Sequence, residues 1–260
     1  MTGTGTALSD TSGDPAMFKR SLGRRVLAEV QWSFRWPCNW LLGVFLNLVL
    51  SFLWLIVVPL TGRRHQDAVI LVGTYFAVFI LADVTTTNVL GLDAVRVRAG
   101  LARGVSVTRM LLTKNLALLI IVGIPTLLAT AVLTVRSEHP YRLVLTLPGV
   151  ALPMFAWLGV GNVVSTVYPV AIESLRTRWQ QRSQWRRLAP WLAHLAIPYA
   201  LLYLVDPVGD LPASVFRLLP HAWRSAELRG VGYAGYGLLI WALGTWFATT
   251  WVRRRGLQLR

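Results

Sequence analysis

The chain has 260 residues, of which 55% are hydrophobic and only 14% charged, too apolar for a water-soluble domain of this length. Its 26 Lys and Arg outnumber 11 Asp and Glu, for a net charge of +15, a balance that either a nucleic acid or an anionic membrane surface would explain. The excess is split among short segments abutting apolar runs, which points to phospholipid and away from nucleic acid, and the single cysteine, Cys38, excludes an internal disulfide or a thiolate metal cluster.

In chain order, residues 1–16 are rich in Thr, Gly, Ser and Asp and read as a disordered tail. Residues 17–37 follow as an amphipathic helix lying in the inner headgroup layer. Phe18, Leu22, Val26 and Val30 recur at steps of four, while Lys19, Arg20, Arg24 and Arg25 take other faces. Six apolar runs then predict a transmembrane domain over 38–252, with spans at 38–60, 68–90, 115–135, 144–166, 190–205 and 231–252, and a cytoplasmic tail at 253–260. The first run is too long for a signal-peptide core, and no small-x-small cleavage site follows it. The fifth run is short, begins beside Pro190 and is interrupted by Pro198, so it thins the bilayer locally or fails to cross as one helix. The fold class expected is an all-α, polytopic membrane protein.

Orientation comes from the basic residues. The seven polar segments hold five, two, five, two, five, three and four Lys or Arg, alternating high and low. That is the positive-inside pattern of a six-span protein with both termini in the cytoplasm. Aromatic residues mark the expected boundaries, with Trp32, Trp36, Trp40, Trp191 and Trp251 inside and Trp54, Tyr141, Tyr203 and Tyr233 outside.

Groups that could carry chemistry are few. His65, His139 and His221 fall in outer loops, and His194 lies near the inner end of span 5. The chain has no His-Glu-x-x-His, no paired carboxylates on one helical face and no Gly-x-Ser-x-Gly elbow. Asp83 is the one acid placed inside a span, where a charge at the centre costs about 2.5–3.5 kcal/mol. Thr86 and Thr87 share its face and Asn88 follows, so the group reads either as an inter-helix hydrogen-bonded contact or as the lining of a substrate or gating path. The loop from Gly91 to Asn115 is basic through Arg96, Arg98, Arg103 and Arg109, and Gly100 and Gly104 punctuate it. A solvated positive-inside loop would share that composition.

Taken together, the six-span plan, the inner amphipathic helix and this glycine-punctuated loop resemble the permease of a bacterial type-2 ABC exporter. The run Gly104-Val105-Ser106-Val107-Thr108-Arg109-Met110-Leu111-Leu112-Thr113-Lys114-Asn115-Leu116 is similar to that family's entry into span 3. Gly161-Asn162-Val163-Val164-Ser165 with Pro169 resembles the end of its span 4, and Leu211-Pro212 with Leu218-Leu219-Pro220 its outer re-entrant element. The chain departs from the family before the coupling turn, where Arg98-Ala99-Gly100-Leu101-Ala102-Arg103 replaces an acid and a Gly-Thr-Leu-Glu-like stretch.

The resemblance implies a transport subunit of the cytoplasmic membrane and no enzyme. With no Gly-x4-Gly-Lys-Ser/Thr phosphate loop in the chain, ATP and Mg are expected on a separate ATPase subunit docked on the cytoplasmic face. Asp93, Arg96, Arg98, Arg103, Gly104 and Arg109 would form the ATPase-coupling loop, a second permease (a copy or a sister chain) would complete the pathway, and membrane lipids would surround it. The expected substrate is a hydrophobic or amphipathic drug, antibiotic or lipid. The alternatives are an ATP-independent secondary transporter or channel and, less favoured for lack of a catalytic cluster, a polytopic membrane enzyme.

Overall fold

A computed structural model describes residues 21–35, 49, 73, 87–169, 189, 214–218, 220 and 225–258. All regular structure among them is helical, with no strand. Predicted spans 1, 2 and 5 lie outside the described residues apart from isolated positions and 87–90, as do Asp83, Thr86, His65, His194 and His221. Three helices long and apolar enough to cross a membrane run over Val107–Arg136, Pro140–Val167 and Ala226–Arg255. They coincide with predicted spans 3, 4 and 6 and mark the chain as a membrane protein.

Helix α1 (Leu22–Ser33) falls within the expected amphipathic segment. Its buried face, however, carries Val26, Glu29 and Ser33, while Leu22 is exposed. The helix is thus rotated relative to its apolar stripe and lays a carboxylate against its neighbour. Helix α2 (Ala94–Ala102) follows the end of span 2. Its stop is a Schellman motif: Val105 N–H donates to Gly100 O at 3.0 Å and Gly104 N–H to Leu101 O at 2.9 Å. Gly104 has φ of 77°, a left-handed value that a side chain would strain. Of the two loop glycines, then, only Gly104 breaks the chain, and Gly100 is buried inside the helix.

Helix α3 (Val107–Leu118) starts at once, capped by Ser106, whose Oγ accepts from Arg109 N–H at 3.4 Å. A π-helical turn, Leu119–Gly123, joins it to α4 (Ile124–Ser137), whose second residue is Pro125. Proline has no N–H to give and crowds the carbonyl four residues back, and a widened turn is one way a helix accommodates it. Helix α4 is inside-out by the standards of a soluble protein. Thr126, Thr130 and Thr134 are buried, while Ile124, Leu128, Val132 and Val135 face outward. The Thr126 and Thr134 hydroxyls donate to carbonyls one turn back, Val122 O and Thr130 O, at 2.7 and 2.8 Å, which satisfies them without water. An exterior of this composition is stable against hydrocarbon.

After a 3-10 turn at Pro140–Arg142 comes α5 (Leu143–Val167), the central helix, with Trp157, Met154, Val150 and Leu158 almost wholly buried. Helix α6 (Ala226–Arg255) packs along it. Gly230, Gly237 and Gly244, spaced by seven, line the seam. A Cβ added at Gly244 would stand 2.5 Å from Gly159 O, one at Gly237 2.9 Å from Leu152 Cα, and one at Gly230 would overlap Val144 O. Backbones this close need small residues at each crossing point. Asn162 Nδ2 donates across the seam to Thr245 Oγ1 at 2.8 Å. The helix ends on Arg253, Arg254 and Arg255, cations that complement its C-terminal dipole, before Gly256.

Candidate functional site: an ion cluster beneath span 3

Helices α1 and α2 and the first turns of α3 meet around four charged side chains. Lys114, two turns into α3, is buried although it carries a charge. Its Nζ lies 2.7 Å from Glu29 Oε1 on α1 and 3.1 Å from Asp93 Oδ2, the residue capping α2. Arg96, one turn into α2, closes the ring, with Nη2 at 2.8 Å from Glu29 Oε2 and Nη1 at 3.0 Å from Asp93 Oδ2. Two cations and two anions balance. Trp32 covers the group, its ring 4.3 Å from the Arg96 guanidinium carbon and 5.7 Å from Lys114 Nζ.

Each helix supplies its member for a local reason. Glu29 and Ser33 lie one turn apart on the buried face of α1, and the Ser33 hydroxyl donates to Glu29 O at 2.9 Å. Asp93 sits at the N-cap position of α2 and meets Arg96 at i,i+3, a spacing that brings side chains together on one helical face. Burial by itself would raise the Glu29 carboxyl, but Lys114 and Arg96 more than offset it and hold it down at about 2. The carboxylate is therefore charged throughout the physiological range.

This arrangement divides the expected coupling residues. Asp93 and Arg96 turn inward and tie helices together, while Arg98, Arg103, Gly104 and Arg109 are exposed. Of the expected path residues, Thr87 and Asn88 are buried, and Ser165 on α5 donates to Thr87 O at 2.9 Å. Thr87 is thereby tied to α5. Asp83 and Thr86 lie outside the described residues.

Sequence reasoning misses Glu29, and it places Lys114 among the inside charges and in the run that resembles the entry into span 3 without seeing its pairing role. The available signals were faint: Glu29 is the single acid in 17–36, and Lys114 is one of two lysines, set against the start of an apolar run. The two are 85 residues apart, beyond any local pattern. Comparison with protein-family models, with curated proteins and with solved structures found no match.

Proposed function

We propose that the chain is the membrane-spanning permease subunit of an ATP-driven ABC exporter, moving a hydrophobic or amphipathic substrate outward under the power of a separate ATPase subunit. One observation carries most of the weight beside the resemblance. The loop helix α2 is fastened by a buried, charge-balanced cluster both to the N-terminal helix and to the base of span 3. A loop that merely bears positive-inside charge needs no such fastening. A loop that receives mechanical work does, because a push on α2 must reach a span rather than dissipate in a flexible connection.

In this reading Arg98, Arg103 and Arg109 are the outward face that meets the ATPase, and Asp93 and Arg96 transmit. Closure of two ATPases on ATP and Mg displaces α2 and, through Lys114, the foot of α3. The π turn at Leu119–Gly123, followed by Pro125, is where that helix can bend. Two permeases rocking against each other then open the path outward, and α1 lies along the inner headgroup layer beside the coupling surface. The bacterial cytoplasmic membrane, the six spans and the inside termini belong to the same proposal.

Copurification decides it. The tagged chain, extracted in mild detergent from its own cells, should bring down a phosphate-loop ATPase, and Arg98→Glu with Arg103→Glu should abolish that association while leaving the permease folded. Active transport by the chain alone in proteoliposomes, driven by an ion gradient without ATP, would overturn the proposal in favour of a secondary transporter.

A further inference from the structure

Helix α6 breaks the rule that α4 keeps. On α4 the threonines are buried and Ile124, Leu128, Val132 and Val135 face outward, as hydrocarbon requires. Between α6 and α3 an open groove is built the other way. Its walls are Ala242, Thr245, Trp246 and Thr249 from α6, with Thr108 and Leu112 from α3, around a cavity of about 410 Å³. Trp246 is 65% exposed there. Of the three spanning segments among the described residues, moreover, α6 has the lowest hydropathy and is the least buried, at 11% of its most apolar stretch against 33% for Val107–Arg136 and 50% for Pro140–Val167. A helix facing lipid over most of its surface has reason to be the most apolar of the three. This one is the least.

From that inversion we infer that the groove is an interface with a second copy of the chain, the same groove on each molecule, related by a two-fold axis along the membrane normal. Such an axis leaves every residue at its own depth, so a self-complementary contact needs its ridge and its hollow at one level. Trp246 lies between Ala242 and Thr249 along the helix, and its indole therefore stands level with the hollow of the other molecule. A volume of about 410 Å³ accepts a large aromatic side chain. Alanine and threonine also let two helices approach closely. The Thr245 and Thr249 hydroxyls already donate to Trp241 O and Trp246 O, at 2.7 and 2.9 Å, so they enter a dry contact without loss. Arg253 lines the groove as well, near the end of α6, where its long side chain can turn to water. The inference rests on the exporter reading for the choice of a second permease as occupant, and it names the face that this permease covers.

Cys38 is the single cysteine of the chain, so in a Cys38→Ser background a disulfide at one introduced cysteine must join two molecules. It forms only where the two Cα atoms come within about 7 Å, which makes the test positional. After copper-phenanthroline oxidation of native membranes, Ala242→Cys and Thr249→Cys, on one face of α6, should give disulfide-linked dimers of twice the chain mass. Leu243→Cys and Phe247→Cys, on the same helix but outside the groove, should give about fivefold less. Adding Trp246→Ala to Ala242→Cys should lower the dimer yield, whereas adding Trp251→Ala should leave it unchanged. Even yields at all four positions would mark random collision and overturn the interface. Absence of dimer from both Ala242→Cys and Thr249→Cys would overturn it too, leaving the groove to lipid or a small molecule. A linked product of another mass would overturn the second copy in favour of a different chain. Cross-linking needs no ATPase. A copurifying ATPase without the dimer keeps the exporter and loses this face, and the dimer without an ATPase keeps the face and loses the exporter.

Discussion

Removal of Lys114 strands two carboxylates. Glu29 and Asp93, 9% and 6% exposed, would be left facing each other with Arg96 as their one cation among the described residues. An uncompensated buried charge costs about 3–5 kcal/mol, so Lys114→Met should lower the unfolding midpoint in detergent sharply. Adding Glu29→Gln to that variant should restore part of the loss, because the second substitution removes a charge that no longer has its partner. Strict additivity of the two effects would show that the side chains act separately. Acid provides a second test at the same residue. The Glu29 carboxyl stands at about 2 in the folded chain against 4.5 unpaired, so the unfolded state takes up the proton first as pH falls. The stabilisation is therefore complete above about 4.5 and is lost progressively from there down through about 2. Thermal melts between pH 6 and pH 3 should show a smaller decline for Glu29→Gln than for the unaltered chain.

At the scale of helices, the seam between α5 and α6 depends on the absence of side chains. Gly244→Ala drives a methyl to 2.5 Å from the Gly159 carbonyl oxygen and forces two backbones apart, at about 1–3 kcal/mol for overpacking of this kind. Gly235, on the same helix, has nothing within 4 Å of an added Cβ, and Gly235→Ala should be neutral or stabilising by up to about 1 kcal/mol. A common response of both variants in detergent melts would refute the seam. Predicted spans 3, 4 and 6 were legible in the sequence and the seam was not, for a physical reason. A run of about 20 apolar residues is a local statement about one helix and its solvent, and three such runs are met by helices at the expected places. The Gly230, Gly237 and Gly244 series is equally local but silent about its partner, since Gly159, Leu152 and Val144 acquire meaning only once α5 lies alongside. The site behaves likewise. Arg96 is singled out by the loop's own composition and Asp93 by the family resemblance, but their inward turn is invisible there because it is dictated by Glu29 and Lys114 from elsewhere. The inner boundary of span 3 was set at 115, whereas the helix starts eight residues earlier at Val107, where Ser106 caps it. Hydropathy marks where hydrocarbon begins and caps mark where helices begin.

For the whole molecule the distribution of basic residues makes a claim about sidedness. In a Cys38→Ser background, Tyr141→Cys, at a position 73% exposed on the short segment between α4 and α5, should react with a membrane-impermeant maleimide added to intact cells. Gln258→Cys, beyond α6, should react only after permeabilisation. The reverse labelling would invert the topology and move the ion cluster to the outer face. The cluster also has a bearing on biosynthesis. Glu29 leaves the ribosome long before Lys114, 85 residues later, which at about 5–20 residues per second is an interval of roughly 4–17 s. Throughout that time α1 lacks one of the two cations that anchor it, and the cluster can close only when α3 has been made. Its seating is thus a late event in insertion that reports completion of the first half of the protein, and a nascent chain halted before residue 114 should present Glu29 to solvent as an ordinary, freely titrating carboxylate.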